Sequence, residues 1–326
     1  MKKIIAVAFF LLLTACILTH SAWSLAYAAL GLQLWYERMV PVLLPFMILS
    51  GTLIRMGLVP VLLRPVRPLF EKALGLSEQA VYVILMGFLC GFPMGAKTIA
   101  DFRLREELSV SEGQYLLAFC NNLGPVYFVG FVLPLLHRSL LLPYLTGMYG
   151  IPLLYGFFLR HTVCRKQLQR CHTTFHSAAH CPNAMLFSTA SVYTSQNSTA
   201  SPGMPLPDAL DDAVNAAGRN ILQLGGYMIF FNLLNLLPRL FLPDAYRYAP
   251  LLEISGGLKL LGDRYPLYAL LLLPAGGLCC IAQTGSCIRN TGLSLKKYIL
   301  DKLILTMLTA IYYFGWSLLA PNTFLL

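Results

Sequence analysis

Residues 91–98 read Gly91-Phe92-Pro93-Met94-Gly95-Ala96-Lys97-Thr98, and they interrupt an apolar stretch that extends from about 79 to 102. Glycine frees the backbone and proline removes a hydrogen-bond donor, so this run breaks a helix. Non-helical backbone is tolerated at membrane depth only where protein or a water-filled cavity surrounds it. The stretch therefore predicts a re-entrant hairpin, which enters and leaves the membrane on the same side. A second apolar stretch, at about 247–262, contains Gly256-Gly257 and predicts a second hairpin.

The composition around these hairpins is that of an integral membrane protein. The chain has 326 residues, of which 57% are hydrophobic and 12% charged, and its mean hydropathy is +0.66. Soluble domains carry about 25% charged residues, so this chain has too little charge to cover a water-soluble surface. The net charge of +10 is spread over loops between apolar runs, which argues against a nucleic-acid-binding patch.

Apolar runs long enough to cross about 30 Å of hydrocarbon recur along the chain. They predict an all-α polytopic membrane protein with about seven transmembrane helices and the two re-entrant hairpins. The predicted spans are 4–24, 38–60, 114–136, 140–160, 217–238, 266–288 and 297–319. With the N-terminus inside, 15 Lys and Arg residues fall inside and 5 outside, as the positive-inside rule requires. This excess of Lys and Arg on the inside holds only if 79–102 is re-entrant.

The order of these elements divides the chain into four parts. Residues 1–37 are predicted to be an N-terminal transmembrane helix and its lead-in, and 161–207 a polar linker on the inside. Between and after them lie two repeats, 38–160 and 208–326, each with a span, a hairpin, an interrupted span and a closing span. Because each repeat crosses the membrane an odd number of times, the second is predicted to be inverted relative to the first. Inverted repeats with broken helices are typical of secondary transporters.

Two segments allow other interpretations. The N-terminus is interpreted as an uncleaved helix, and a signal peptide with a lipoprotein-type box at Leu13-Thr14-Ala15-Cys16 is the alternative. The linker contains Cys171, His172, His176, His180 and Cys181, which are residue types that bind zinc or copper. No second ligand cluster accompanies them, so no metal site and no cofactor are predicted. The chain also lacks the motifs of a zinc protease, a phosphate loop or a nucleophile elbow, so we predict no enzyme.

The first repeat supplies most of the candidate site. An ionisable residue at membrane depth is a functional candidate, which singles out Lys97 just beyond the hairpin tip. A pairing with Asp101 one turn away, or extension of Lys97 to the interface, is the alternative. The N-terminus of the outgoing half-helix adds partial positive charge. In the next span Asn121-Asn122 precede Gly124-Pro125, where free carbonyls and two amides offer donors and acceptors for a site lining. Hydrogen bonds of these amides to neighbouring helices are the alternative.

The second repeat offers matching polar residues. Gly276-Gly277 and the run 283–286 indicate an equivalent break, and Glu253 lies in the second hairpin. Glu253 is a candidate for a coupling proton or cation or for an ion pair with Lys97, and a carboxylate at the outer interface is the alternative. The candidate substrate-binding residues are Gly91, Pro93, Gly95, Lys97, Thr98, Asn121, Asn122, Glu253, Ser255, Gln283, Thr284 and Ser286.

Several motifs resemble the YlbJ-type sporulation integral membrane proteins, which carry a nucleoside-recognition "Gate" domain similar to the core of concentrative nucleoside transporters. The resemblance covers about 28–319, and its motifs are 31–35, 41–46, Gly91 to Lys97, Asn121-Asn122 and 292–295. It implies a role in endospore formation, a place in the outer forespore membrane and passage of dipicolinate into the developing spore.

The leading hypothesis is a transporter or facilitator of a small anionic solute, for which dipicolinate is the identity implied by the resemblance. A nucleoside transporter and a non-transporting membrane scaffold for spore formation are the alternatives. The expected partners are the lipid bilayer and the small anion, without nucleic acid. A coupling ion and assembly into a homo-oligomer are left open by the sequence.

Overall fold

The computed structural model describes residues 2–65, 76–136, 140–162 and 203–320, and within these ranges all regular structure is helical. This confirms the predicted all-α class. The helices before the linker are α1 Lys2–Thr19, α2 Ser21–Leu34, α3 Val40–Arg55, α4 Val59–Leu63, α5 Glu78–Cys90, α6 Met94–Leu104, α7 Val110–Phe119, α8 Pro125–Leu135 and α9 Leu141–His161. Those after it are α10 Leu206–Leu233, α11 Leu236–Phe241, α12 Ala249–Leu252, α13 Ile254–Leu261, α14 Pro266–Leu272, α15 Gly277–Cys287 and α16 Leu295–Leu319.

Five helical segments in the described part of the chain are long and apolar enough to cross a membrane. They are Ser21–Arg55, Leu141–His161, Leu206–Phe241, Pro266–Cys287 and Leu295–Leu319, and three shorter apolar helices accompany them. Helix α16 shows why lipid must surround the protein, because it exposes Leu303, Met307, Ile311 and Phe314 on its outer face. On a helix long enough to span a bilayer, a row of large exposed apolar side chains is typical of a surface that faces lipid. The predicted polytopic membrane protein is therefore confirmed.

The N-terminal spans differ from the prediction of separate helices at 4–24 and 38–60. Helices α2 and α3 are joined by a π-helical turn at Trp35–Met39 into one helix, which runs through the expected boundary at 37–38. Within this helix Gln33 Nε2 donates to Glu37 Oε1 on the next turn, at 3.1 Å. Helix α1 is a separate element that packs against α11, with Cys16 and Leu236 buried between them.

The long α2–α3 helix packs closely along α10. A Cβ on Gly31 would lie 2.8 Å from Ile229 Cα, and a Cβ on Gly225 would lie 2.6 Å from the Trp35 ring. Trp35 Nε1 also donates to the Ile221 carbonyl at 2.8 Å. Small residues that let two backbones approach are the usual contact between membrane helices. This helix pair forms one wall of the clefts described below.

Both halves show the predicted order of long helix, joined helix pair, broken helix and long helix. In the first half α5 and α6 are joined by residues 91–93, and α7 and α8 are separated by 120–124. In the second half Glu253 alone joins α12 and α13, and 273–276 separates α14 from α15. The re-entrant character of the pairs, their sidedness and the inversion of the repeat stay predictions.

One detail of the second half is corrected. The run 283–286 was expected to form a break, but it lies inside the regular helix α15. The interruption comes earlier, where Gly276 and Gly277 adopt positive φ values of 70° and 74° that favour glycine. Most of the linker, with its Cys and His residues at 171–181, lies outside the described residues.

Candidate functional site

The turn between α5 and α6 is pressed against the break between α7 and α8. Gly91 has a φ of 79°, and a Cβ on it would lie 2.2 Å from the backbone nitrogen of Gly124. A Cβ on Gly95 would lie 2.6 Å from the Cys120 carbonyl oxygen. Side chains are excluded at both positions because the other backbone already occupies the space. These two predicted site residues therefore bring the helix pair onto the broken helix.

Asn121, in the break, joins three elements. Its Oδ1 accepts from the backbone N–H of Ala96 in α6, at 3.3 Å. Its Nδ2 lies 2.9 Å from Thr284 Oγ1 in α15 and 3.2 Å from the Tyr298 hydroxyl in α16. Asn121 and Thr284 are fully buried. The structure thus brings together predicted residues from both halves in a buried polar centre.

Asn122 binds Lys302, which is not among the predicted site residues. Asn122 Nδ2 donates to the Phe119 carbonyl at 2.6 Å, while its Oδ1 accepts from Lys302 Nζ at 2.7 Å. Lys302 is only 2% exposed although it lies in the long apolar helix α16. A lysine inside an apolar span was the available signal for it.

Lys97 forms an ion pair with Asp101, which is the predicted alternative to a role in substrate binding. Its Nζ lies 2.7 Å from Asp101 Oδ1 on the next turn of α6, and its side chain is 25% exposed. Thr98 Oγ1 donates to the Met94 carbonyl of its own helix at 2.8 Å. The partner of Lys97 is thus Asp101, and the pairing with Glu253 is not formed.

Glu253 is buried and caps α13. Its Oε1 accepts from the Ser255 N–H at 3.0 Å, and its Oε2 accepts from the Gly256 N–H at 2.6 Å and from Asn232 Nδ2 at 2.9 Å. Three hydrogen bonds and the positive end of the helix compensate for burial of the carboxylate. The same carboxylate also borders a cleft, so the helix pair that it caps lies beside that cleft.

Two clefts lie next to this centre. The first, called the Glu253 cleft, is an open cleft with a largely apolar lining, and its polar lining residues are Arg38, Tyr127, Glu253, Ser255 and Gln283. The second, called the Lys97 cleft, consists of two adjoining pockets that share Met47, Lys97 and Asn220. Its polar lining residues are Ser50, Arg55, Lys97, Thr98, Asp101, Asn220, Gln223, Tyr227, Gln283 and Ser286.

The two clefts follow each other along the same helices. On α3 the Glu253 cleft is lined by Val42 and Leu43, whereas the lining of the Lys97 cleft begins at Met47. Leu224 and Gln283 line both clefts. The turn between α5 and α6 separates them, with Phe92 in one lining and its neighbour Pro93 in the other. A solute moving from one cleft to the other would pass this turn.

Seven of the twelve predicted residues line these clefts, whereas Gly91, Gly95, Asn121, Asn122 and Thr284 pack in or against the helix break and line neither cleft. Pro93, Lys97, Thr98, Gln283 and Ser286 line the Lys97 cleft, where Gln223 Nε2 also donates to Ser286 Oγ at 2.7 Å. Glu253 and Ser255 line the Glu253 cleft. Arg38, Arg55 and Gln223 are lining residues that the sequence analysis did not select.

The fold and the site together define a polytopic helical membrane protein with a buried polar centre at a helix break and a cleft on each side of the adjoining turn. The chain is 30% identical over 240 residues to the sporulation integral membrane protein YlbJ of Bacillus subtilis (strain 168). The match covers 72% of this chain and 56% of the length of that relative. It supports a YlbJ-type assignment and so confirms the resemblance read from the sequence.

No protein-family profile matches the chain, and no solved structure matches it. The resemblance to a nucleoside-recognition Gate domain therefore stays a prediction.

Proposed function

We propose that the protein moves a small anionic solute across a membrane during spore formation, and that dipicolinate is this solute. A membrane protein involved in sporulation is supported by the similarity to YlbJ and by the apolar helices. Transport, the solute and a location in the outer forespore membrane are our inferences. The partners in this proposal are the bilayer and the anion, and the solute passes without chemical change.

The arrangement of the clefts is the observation that carries this proposal. Two clefts, each with several polar side chains in a largely apolar lining, succeed each other along α3, α10 and α15 and share Gln283, with only the 91–93 turn between them. Displacement of this turn would connect one space with the other. Broken helices at such a position form the substrate sites of secondary transporters. A membrane scaffold has no need of two adjoining clefts of this kind.

The charges of the clefts favour an anion. In the Glu253 cleft Arg38 balances Glu253, and in the Lys97 cleft Arg55 and Lys97 outnumber the one carboxylate, Asp101. Helix α6 begins at Met94, and its N-terminal end adds partial positive charge beside the same turn. Dipicolinate carries two carboxylates, so successive positive groups along the route suit it. The carboxylate of Asp101 holds Lys97 until an anion replaces it.

Deletion of the gene in its sporulating host tests the proposal. We expect spores with strongly reduced dipicolinate, accumulation of dipicolinate outside the spore compartment, and restoration of both by the wild-type gene. The scaffold alternative instead predicts that spore structure in the deletion strain is incomplete before the dipicolinate content differs from that of the wild type. Normal dipicolinate in the spores of the deletion strain would overturn the proposed function.

A further inference from the structure

The side chain of Lys302 is buried, and the proposed transport route does not use it. It extends from α16 into the break between α7 and α8, where no carboxylate of the described residues lies within ion-pair distance. The neighbouring Asp301 is engaged elsewhere, because its Oδ1 accepts from the Tyr155 hydroxyl at 2.8 Å. An ammonium group loses its hydration on burial and must find other partners to be stable.

The break supplies these partners. Lys302 Nζ donates to the Asn121 carbonyl at 2.5 Å and to Asn122 Oδ1 at 2.7 Å. The ring of Phe92 lies 4.7 Å from Nζ, and that of Tyr298 lies 5.7 Å away, both within the range of cation–π attraction. Two oxygens and two aromatic faces thus surround the three N–H bonds of the ammonium.

The Asn121 carbonyl is available because of the sequence that follows it. In a continuous helix this oxygen would accept from the residue four positions later, which is Pro125 and has no N–H. Unwound carbonyls at breaks of membrane helices are the usual ligands of monovalent cations in transporters. The Asn121 carbonyl and the Asn122 amide oxygen are ligands of this kind in a broken helix, and Lys302 Nζ binds both of them.

We propose that Lys302 is a tethered cation that fills a monovalent-cation site in the break, so that the wild-type protein binds no free Na⁺ or K⁺ there. The bound ammonium fixes the break by holding Asn121 and Asn122, and hence positions the contacts of Asn121 with α6, α15 and α16. The chain carries its own ion at this position.

Replacement of Lys302 by alanine in the full-length protein tests this assignment. Lys302→Ala removes the ammonium and leaves both oxygens facing an empty space about the size of the lost side chain. In detergent we expect a lower thermal unfolding midpoint than that of the wild type. Sodium chloride or methylammonium chloride should raise this midpoint in a saturable way, whereas choline chloride at equal ionic strength should not. The wild-type midpoint should not distinguish these salts.

Lys302→Met is the matched control because its unbranched apolar side chain fills the space and leaves no room for an ion. We expect Lys302→Met to be destabilised and to respond alike to all three salts. If Lys302→Ala cannot be purified without an added cation, it is purified in methylammonium chloride and, separately, in choline chloride. Recovery of folded protein in methylammonium chloride but not in choline chloride supports the proposal. The proposal would be overturned if the unfolding midpoint of Lys302→Ala were the same in all three salts. It would also be overturned if folded Lys302→Ala were recovered with neither cation. These readouts measure stability, so they are independent of whether the protein transports dipicolinate.

Discussion

At the scale of single residues, Lys97 is the cleft charge whose removal tests the substrate site. Lys97→Ala leaves Asp101 without its partner and takes one positive charge from the cleft, so we expect at least about a tenfold loss of dipicolinate uptake. Lys97→Arg should retain part of the activity, since the charge is kept but the shape differs. Uptake is compared at equal amounts of inserted protein.

Lys259→Ala is the control for this experiment. Lys259 also lies in an apolar element, but it is exposed and only approaches Gln33 Oε1 at 3.4 Å. The substitution changes the net charge equally and should leave uptake unchanged. Normal uptake by a well-expressed Lys97→Ala protein would remove Lys97 from the site, although other cleft residues could still bind the anion.

Individual site residues differ in how far the sequence can identify them. Asn121 and Asn122 were predictable because two adjacent amides before Gly-Pro mark a helix break in any membrane span. Lys302 carries the signal of a lysine in an apolar element, but Lys259 carries the same signal, so the sequence alone does not distinguish the two. Only the packing of α16 against the break makes Lys302 buried and leaves Lys259 exposed. The environment of a lone lysine depends on tertiary contacts that local sequence does not contain.

At the scale of elements, the contact between α6 and the α7–α8 break is predicted to depend on Gly95. In Gly95→Ala the new Cβ would approach the Cys120 carbonyl oxygen to 2.6 Å, so the backbones must separate. We expect a loss of about 1–3 kcal/mol in the free energy of unfolding, the usual effect of overpacking. The measurement is reversible unfolding in detergent.

Gly226→Ala is the matched control, because Gly226 is helical and a Cβ on it would meet no atom within 4 Å. Alanine in an open helical position should leave stability unchanged or raise it by up to about 1 kcal/mol. Equal destabilisation by the two substitutions would show that helix α6 does not need close contact with the break.

Helix breaks were more predictable than helix continuity. The Gly-Pro runs at 91–95 and 124–125 placed two interruptions, since glycine and proline act locally. The continuous helix Ser21–Arg55 was missed because Glu37 and Arg38 look like the end of a span. Arg38 instead faces the Glu253 cleft, so a charged residue is tolerated within the helix.

At the scale of the whole molecule, the order of parts in the two halves follows from counting apolar runs and their breaks. The clefts could not be predicted in this way because residues from both halves line them. Arg38 and Glu253, for example, are 215 positions apart and border one space. Whether the halves are inverted in the membrane stays a prediction, and the proposed route requires that the two clefts open toward opposite faces.

Uptake of labelled dipicolinate by liposomes that contain the purified full-length protein tests transport most directly. We predict saturable uptake above that of protein-free liposomes, competition by unlabelled dipicolinate, and no competition by nucleosides. If nucleosides compete with dipicolinate and a labelled nucleoside is itself taken up, the nucleoside alternative is favoured. Folded, inserted protein that takes up neither solute would contradict the transport function and favour a scaffold.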